Sequence, residues 1–254
     1  MTTISRQLLA EESQREEQAA GSLAHDVLEA IESWLPSNIS FTAETGCGRS
    51  TILFSNLASD HTVFCLDDTG QAGSSVDYCR NSAFFNSDHV SWVFGPTQQT
   101  LLHHSHPGNY DCVLIDGPHG YPFPDLEYFF FYPLVKQGGL LIIDDVQIAT
   151  IGQLADFLQE DDMWELVELV RTTAIFRRTD VPVFTTVGDD WWTQKYNQRR
   201  AEKDNPFYLD DDGKLEPFSR KVERYYSRQA RMDFLGKIKF RLFRLLGIND
   251  SRTS

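Results

Sequence analysis

Five short apolar runs constrain this chain more than any other feature: Ile39 to Ala43, Thr62 to Leu66, Val90 to Phe94, Cys112 to Ile115 and Leu140 to Ile143. Each is bounded by turn residues and rich in apolar side chains, the pattern of strands covered on both faces. Between them lie stretches with helical character, Ser50 to Ser59, Ser74 to Asn81, Thr97 to His103 and Asp125 to Val135, the last closed by Gly138 and Gly139. Strand and helix in alternation imply right-handed crossovers and a mostly parallel sheet. Ahead of the first strand, Leu23, Val27, Leu28, Ile31 and Leu35 recur every three or four residues, so an amphipathic helix spans Ser22 to Leu35 and ends at Pro36. After Asp145 the pattern predicts a helix over Ile151 to Gln159. Two β-branched segments follow, Leu166 to Phe176 and Val183 to Val187, separated by Arg177 to Pro182, and they are expected to form an antiparallel hairpin at the sheet edge.

Composition supports a folded core: of 254 residues, 41% are hydrophobic and 24% charged. The strongest apolar run, Tyr128 to Val135, contains Pro133 and is far shorter than the roughly 18 residues a membrane span requires. The first thirty residues carry Glu11, Glu12, Glu16 and Glu17 and no apolar core with a cleavage site, so no secretory signal is read there. Cys47, Cys65, Cys79 and Cys112 form no paired motif, which fits a reducing, cytoplasmic setting. A net charge of −14 argues against general nucleic-acid binding.

The charge is uneven. Residues 1–188 hold 8 Lys and Arg against 26 Asp and Glu, whereas 189–254 hold 15 against 11, so a boundary is expected near residue 189. The extension carries Trp191 and Trp192, which could close a pocket or form a dimer contact, an acidic turn at Asp210 to Gly213, and a basic stretch from Phe218 to Leu246. Within that stretch Lys237, Arg241 and Arg244 share one helical face, and Ile238, Leu242, Leu245 and Leu246 another. Such a helix suits an anionic membrane surface, a partner, its own core or a second subunit in a homo-oligomer.

In an open parallel sheet, ligands bind at the carboxyl ends of the strands. After the first run stands Glu44-Thr45-Gly46-Cys47-Gly48-Arg49-Ser50-Thr51, where two glycines permit a tight turn and Ser50 can cap the next helix. After the second stand Asp67 and Asp68, the former 19 residues beyond Gly48, a spacing at which a carboxylate can accept both hydroxyls of a ribose. A dinucleotide fingerprint would need a third glycine at position 51, which is Thr51. A ribose-bearing cofactor without a pyrophosphate, such as S-adenosylmethionine, fits better.

With ETGCGRST, the acid at Asp67, YDCVLIDGPHGY at 110–121 and GGLLIIDDV at 138–146, residues 20–188 resemble a class I S-adenosylmethionine-dependent methyltransferase. The resemblance implies a Rossmann-like, seven-stranded sheet closed by an antiparallel pair. It implies that Glu44, Gly46, Gly48 and Ser50 line the methionine end of the cofactor and that Asp67 holds the ribose. Thr97 and Gln98 would contact the adenine, and Asp116 would border the same cleft.

Asp116 ends the fourth strand and Asp144-Asp145 the fifth, so three carboxylates meet at one rim. Hard oxygen ligands grouped this way suit Mg²⁺ or Ca²⁺, and such a metal would orient a substrate hydroxyl and lower its pKa. Metal-dependent O-methyltransferases resemble this set, and their catechol-type branch places a basic residue where His119 stands, as proton acceptor. The competing reading is that Asp144 and Asp145 cap the next helix, Asp116 orders its loop and His119 is an exposed loop residue. The glycine loop is two residues shorter than in catechol-type enzymes, and Asp145 stands where many of them have Asn. Both departures favour the small-molecule and sugar O-methyltransferases. His103, His104 and His106 are denser, but they precede a Pro-Gly-Asn turn on the opposite rim and lack completing ligands.

The expected activity is therefore methyl transfer from S-adenosylmethionine to a hydroxyl of a small molecule or glycoside, with divalent-cation assistance. A metal-independent methyltransferase, and a non-catalytic binding module on the same fold, stay open as alternatives.

Overall fold

The computed structural model describes residues 3–12, 23–183 and 194–196, and two short strands at 208–209 and 215–216. Two helices, α1 (Ile4–Glu12) and α2 (His25–Trp34), precede the sheet. There follow β1 (Ile39–Thr45), α3 (Arg49–Leu57), β2 (Ala58–Cys65), α4 (Ser75–Arg80), β3 (Val90–Phe94), α5 (Thr97–His103) and β4 (Tyr110–Ile115). The order continues with α6 (Phe123–Phe131), β5 (Val135–Ile143), α7 (Ala149–Glu160), β6 (Trp164–Val170) and β7 (Thr173–Arg178). The seven strands lie in the order β3-β2-β1-β4-β5-β7-β6. Within this sheet β7 runs opposite to the other six strands, pairing antiparallel with β5 and β6.

The chain divides into two compact units, 1–194 and 195–254. Of the second, the described part includes one antiparallel pair, β8 (Tyr208–Leu209) and β9 (Leu215–Glu216). Trp191, Trp192 and the basic stretch 218–246 lie outside the described residues. No helix among the described residues is long and apolar enough to cross a membrane.

The central strands are largely buried because helices cover both faces of the sheet. On one face Tyr110, Val113, Leu141 and Ile143 pack with Leu101, Phe131, Ile151 and Leu154. On the other Cys112, Leu114 and Ile142 pack with Leu28, Ile31, Ile52 and Leu53, and Leu8 of α1 is fully buried there. The helix before β1 stops where expected, since Leu35 takes the extended conformation (φ −77°, ψ 138°) that a following proline imposes.

Two boundaries differ from the sequence reading. Gly138 and Gly139 do not close α6, which ends at Phe131, but lie inside β5. There the β4 to β5 register shifts between Tyr110 and Cys112, and a Cβ on Gly139 would stand 3.0 Å from the Asp111 carbonyl oxygen and 3.1 Å from that of Tyr110. The Lys136 carbonyl oxygen of β5 itself lies nearer still, at 2.9 Å, so the β5 and β4 backbones together exclude a side chain at 139. The hairpin also lies earlier than expected, turning at Arg171 and Thr172, so Leu166 to Phe176 spans parts of both strands. Arg171 adopts a positive φ of 54° without the glycine or asparagine that usually marks such a turn, and this hides the boundary from composition. Residues 184–187 of the second expected segment are outside the described residues.

The lower end of the sheet is pinned by Asp111 of β4. One carboxylate oxygen accepts the backbone N–H groups of Ser40 (2.8 Å) and Phe41 (3.0 Å) in β1, and the other pairs with Lys136 of β5. Burial pushes this carboxyl up, but Lys136 and the two amides outweigh it and hold it below the usual range. Asp111→Ala is expected to lower the unfolding free energy by about 2 kcal/mol in urea titrations near neutral pH. Because the folded value is depressed, the deficit should shrink as pH falls below about 3.9 and wild type loses the same stabilisation.

Candidate functional site

Each loop at the carboxyl end of β1 to β5 contributes to one rim. At β1, Gly46 has a φ of +85°, and a Cβ on it would lie 2.4 Å from the carbonyl oxygen of Asp116. Only glycine lets the loops after β1 and β4 meet this closely. The Gly46 N–H donates to the Phe64 carbonyl of β2 (2.9 Å), so the loop continues the sheet before turning away.

Beneath this turn Glu44 is fully buried. The Thr51 hydroxyl donates to Glu44 Oε1 and accepts from the Gly48 N–H at 2.9 Å. His61 Nε2 lies 3.2 Å from the same carboxylate oxygen, and His61 Nδ1 lies 2.8 Å from Thr42 Oγ1. Since a carboxylate only accepts, Nε2 donates to Glu44. Glu44 Oε2 has no hydrogen-bond partner among the described residues. The residue that breaks the dinucleotide fingerprint, Thr51, is thus the brace of the loop. Ser50 does not cap α3, because Gly48 occupies the N-cap position and Ser50 sits buried inside the first turn.

The two acids after β2 separate. Asp68 accepts from the Ser75 N–H (2.7 Å), the Val76 N–H (3.1 Å) and Ser74 Oγ (2.8 Å), and so fastens the start of α4. Asp67 stays exposed, and the Thr69 hydroxyl (2.6 Å) and N–H (3.1 Å) hold its carboxyl below the usual range. After β3, Thr97 is buried at the start of α5, whereas Gln98 is exposed.

The loops after β4 and β5 bring together Asp116, His119 and Asp145. His119 Nε2 is 3.1 Å from Asp145 Oδ2 and 3.9 Å from Asp116 Oδ1. One donor atom from each of the three lies within 4.8 Å of the others. Asp145 has a positive φ of 56°, strain that persists only where the surroundings enforce it. Thr150 of α7 donates to the His119 carbonyl oxygen at 2.5 Å, and Gln147 donates to Asp145 Oδ1 at 2.7 Å. Asp144 points elsewhere: it is buried, and its Oδ1 accepts from the Thr173 hydroxyl at 2.5 Å. Of the carboxylates expected at a metal, Asp116 and Asp145 therefore converge with His119, while Asp144 serves the hairpin.

Burial raises Asp116 to about 7, against the pull of His119 and with repulsion from Asp144 and Glu44. The Asp116 carboxyl in turn raises His119 above its ordinary value, with Asp145 adding to it against partial burial. Two oxygen donors and an imidazole in this arrangement suit a divalent cation, which would replace the proton the three now compete for.

Glu127 was invisible to the sequence reading. It lies on α6 in DLEYFFFY, four residues before the fully buried Phe131, and is itself fully buried. A lone acid on the core face of an aromatic helix is the signal that could have found it. The Thr45 hydroxyl donates to Glu127 Oε2 at 2.7 Å and accepts from the Asp116 N–H at 3.1 Å. A Cβ on Gly117 would lie 2.4 Å from Glu127 Oε1. Burial raises Glu127 to about 7, opposed by the Thr45 and Thr97 hydroxyls. Two of the three clustered histidines are structural: His106 bridges the Tyr110 hydroxyl (2.9 Å) and the Leu101 carbonyl (3.1 Å), and His104 and His106 pack on Phe64, while His103 is exposed.

Two expected outcomes follow from this geometry. Gly46→Ala should destabilise the protein by about 3 kcal/mol in denaturant titrations, combining a positive φ with a backbone clash. For Glu127 the folded chain keeps its proton between about 4.3 and 7 while the unfolded chain loses it, so stability falls as pH rises through that window. Glu127→Gln, measured the same way, should gain about 2 kcal/mol more at pH 8 than at pH 4 relative to wild type.

Residues 43–146 match a family described as a methyltransferase domain. Solved structures share the fold. A protein provisionally assigned as a caffeoyl-CoA O-methyltransferase from Staphylococcus aureus aligns with a TM-score of 0.54 at 15% identity, over 70% of this chain and 93% of its own. A protein provisionally assigned as an O-methyltransferase from Klebsiella pneumoniae aligns with a TM-score of 0.52 at 15% identity, over 70% and 91%. The O-methyltransferase TomG from Streptomyces achromogenes, involved in tomaymycin synthesis and solved with S-adenosylmethionine, aligns with a TM-score of 0.51 at 14% identity, over 70% and 91%. No curated protein sequence matches the chain.

Proposed function

We propose that this chain, whose residues 43–146 match a methyltransferase domain, is a class I S-adenosylmethionine-dependent enzyme that methylates a hydroxyl oxygen of a small molecule or glycoside. The observation that carries the reading is the convergence of Asp116, His119 and Asp145 beside the glycine turn, with the Asp116 backbone against Gly46. In this reading Gly46, Gly48 and Ser50 border the methionine end of the cofactor, above the buried Glu44. Asp67, exposed at the end of β2, accepts the ribose hydroxyls, and Thr97 and Gln98 border the adenine.

Methyl transfer needs an in-line approach and a place for one proton. The acceptor oxygen forms a bond to the methyl carbon, the carbon–sulfur bond breaks with its electron pair going to sulfur, and the sulfonium becomes a neutral thioether. The acceptor proton goes to His119 Nε2, whose imidazolium is stabilised by Asp145 at 3.1 Å and Asp116 at 3.9 Å. A divalent cation held by the Asp116 and Asp145 carboxylates, with His119 Nε2 left uncoordinated to take the proton, would lower the pKa of the acceptor hydroxyl and fix its direction. Asp116 and Asp145 are its proposed carboxylate ligands; Asp144, held by Thr173, would reach it only by releasing that bond. The contact between His119 and Asp145 supports a second version, in which the acids orient the base without metal.

As further parts of the proposal, residues 1–188 form the catalytic portion and 189–254 an extension that docks on a partner, a membrane surface or a second copy. Four free cysteines are consistent with a cytoplasmic setting.

Calorimetric titration with S-adenosylhomocysteine, with and without Mg²⁺, tests the reading on wild type and Asp145→Ala. Binding is expected, with a Mg²⁺ effect lost in the variant. Binding indifferent to Mg²⁺ selects the metal-independent version, and no binding refutes the cofactor assignment in favour of a non-catalytic module. With an accepted hydroxyl substrate, His119→Gln should lower kcat by about 10² to 10⁴-fold. The rate should rise with pH through the elevated His119 value, because only the neutral imidazole accepts the proton.

A further inference from the structure

Among the described residues, Asp145 (φ 56°) and Arg171 (φ 54°) are the two outside glycine that adopt a positive φ, and one hydrogen bond joins their neighbours. The Val146 N–H, next to Asp145, donates to the carbonyl oxygen of Thr172, next to Arg171, at 2.9 Å. Backbone of this kind is disfavoured for a residue with a side chain and persists only where its surroundings over-determine it.

Asp145 is fixed from both sides. Before it, the Asp144 N–H continues the β4 ladder by donating to the Ile115 carbonyl at 3.1 Å. Asp144 Oδ1 accepts from the Thr173 hydroxyl at 2.5 Å, with the Thr172 hydroxyl 3.5 Å away. After it, Val146 is drawn to Thr172, and the Ile148 N–H returns to the Asp145 carbonyl at 2.9 Å. One residue is left to reverse the chain between two tethered neighbours, so the side chains of Asp144 and Asp145 leave in opposite directions. Asp144 is buried against the turn, and Asp145 stands at the rim 3.1 Å from His119 Nε2. The turn is itself tied to α2, where Arg171 Nε donates to the two oxygens of Asp26 at 2.7 and 2.6 Å.

We propose that the β6–β7 turn aims Asp145 at His119, with Thr173 as the positioning residue that holds Asp144 inward. Its bearing on the reaction rests on the acid–base reading given above, whereas the geometry does not. Without the Thr173 hydroxyl, the Asp144 carboxylate loses its 2.5 Å donor while still buried. It is relieved by turning toward the rim, which frees the chain on one side of Asp145 and brings a competing carboxylate to His119. Thr173 touches no reacting atom and acts through Asp144 and the direction of the backbone.

The ring of His119 reports this aim without any acceptor. In ¹H–¹³C NMR spectra of the imidazole at a single pH, assigned with His119→Gln, the Asp145→Ala variant marks the signal of a ring that has lost its partner. Thr173→Val keeps the volume and removes the hydroxyl, and it should move the His119 signal most of the way to that mark. Thr173→Ser should return the signal to its wild-type place. A bond that served stability alone would lower the melting temperature and leave the signal unmoved. With an accepted hydroxyl substrate, kcat of Thr173→Val should fall about tenfold, the size of one hydrogen bond. Its affinity for S-adenosylhomocysteine should match wild type, because β4 and β5 separate β7 from the glycine turn after β1. An unmoved His119 signal in Thr173→Val, no rescue by Thr173→Ser, or a signal indifferent to Asp145→Ala would each overturn the proposal. A wild-type protein that fails to bind S-adenosylhomocysteine would instead refute the cofactor reading and leave the NMR outcome standing. Should Thr173→Val fail to fold, Thr173→Cys, a weaker donor, should give a smaller shift in the same direction, and no shift there overturns the proposal equally.

Discussion

The approach of the β1 loop to the β4 loop is the constraint on which the site depends. The Asp116 carbonyl oxygen occupies the space where a side chain on residue 46 would begin, so the two loops share one wall. That contact needs glycine at 46 for both its space and its φ, and it needs β1 and β4 to be neighbours in the sheet. The neighbour relation is itself enforced at the far end, where Asp111 of β4 takes two amides of β1. Between these two ties the strands are fully buried and admit no slippage, because a one-residue shift would turn every buried side chain to the wrong face.

Around that wall the protein gathers more carboxyl groups than its cations can neutralise. The answer is largely hydroxyls. Thr51 serves Glu44, Thr45 serves Glu127, and Thr173 serves Asp144. A threonine hydroxyl stabilises a buried carboxyl without introducing a second charge to be desolvated, and its methyl group packs in the apolar surroundings. Asp116 and Asp145 at the open rim share His119, whereas the buried Glu44 has His61 as well as Thr51.

Much of this was legible in the chain. The strand runs, the glycine turn, the acid at Asp67 and the paired acids after β5 all stand at positions that periodicity and turn residues mark. What escaped is as instructive. The hairpin at Arg171 and Thr172 carries no turn residue, and Gly139 marks an approach of strands rather than a helix end. Glu127 was hidden in an aromatic run, although its place four residues before Phe131 on the core face was available to inspection.

Sequence alone determined the alternation of strand and helix, hence a parallel sheet with an acid-rich rim, because hydrophobic period and turn chemistry are local properties of a chain. It also supplied the carboxylates and the histidine that stand in the loops after β2, β4 and β5. Only the tertiary structure decided which acids work together. Asp144 and Asp145 are adjacent in the chain, yet one turns inward to Thr173 and the other outward to His119, since the positive φ at Asp145 reverses the direction of the backbone between them. Glu127 joins Thr45 across 82 residues for a similar reason: whether a carboxyl is buried, and what answers it, depends on groups that only folding brings within hydrogen-bonding distance.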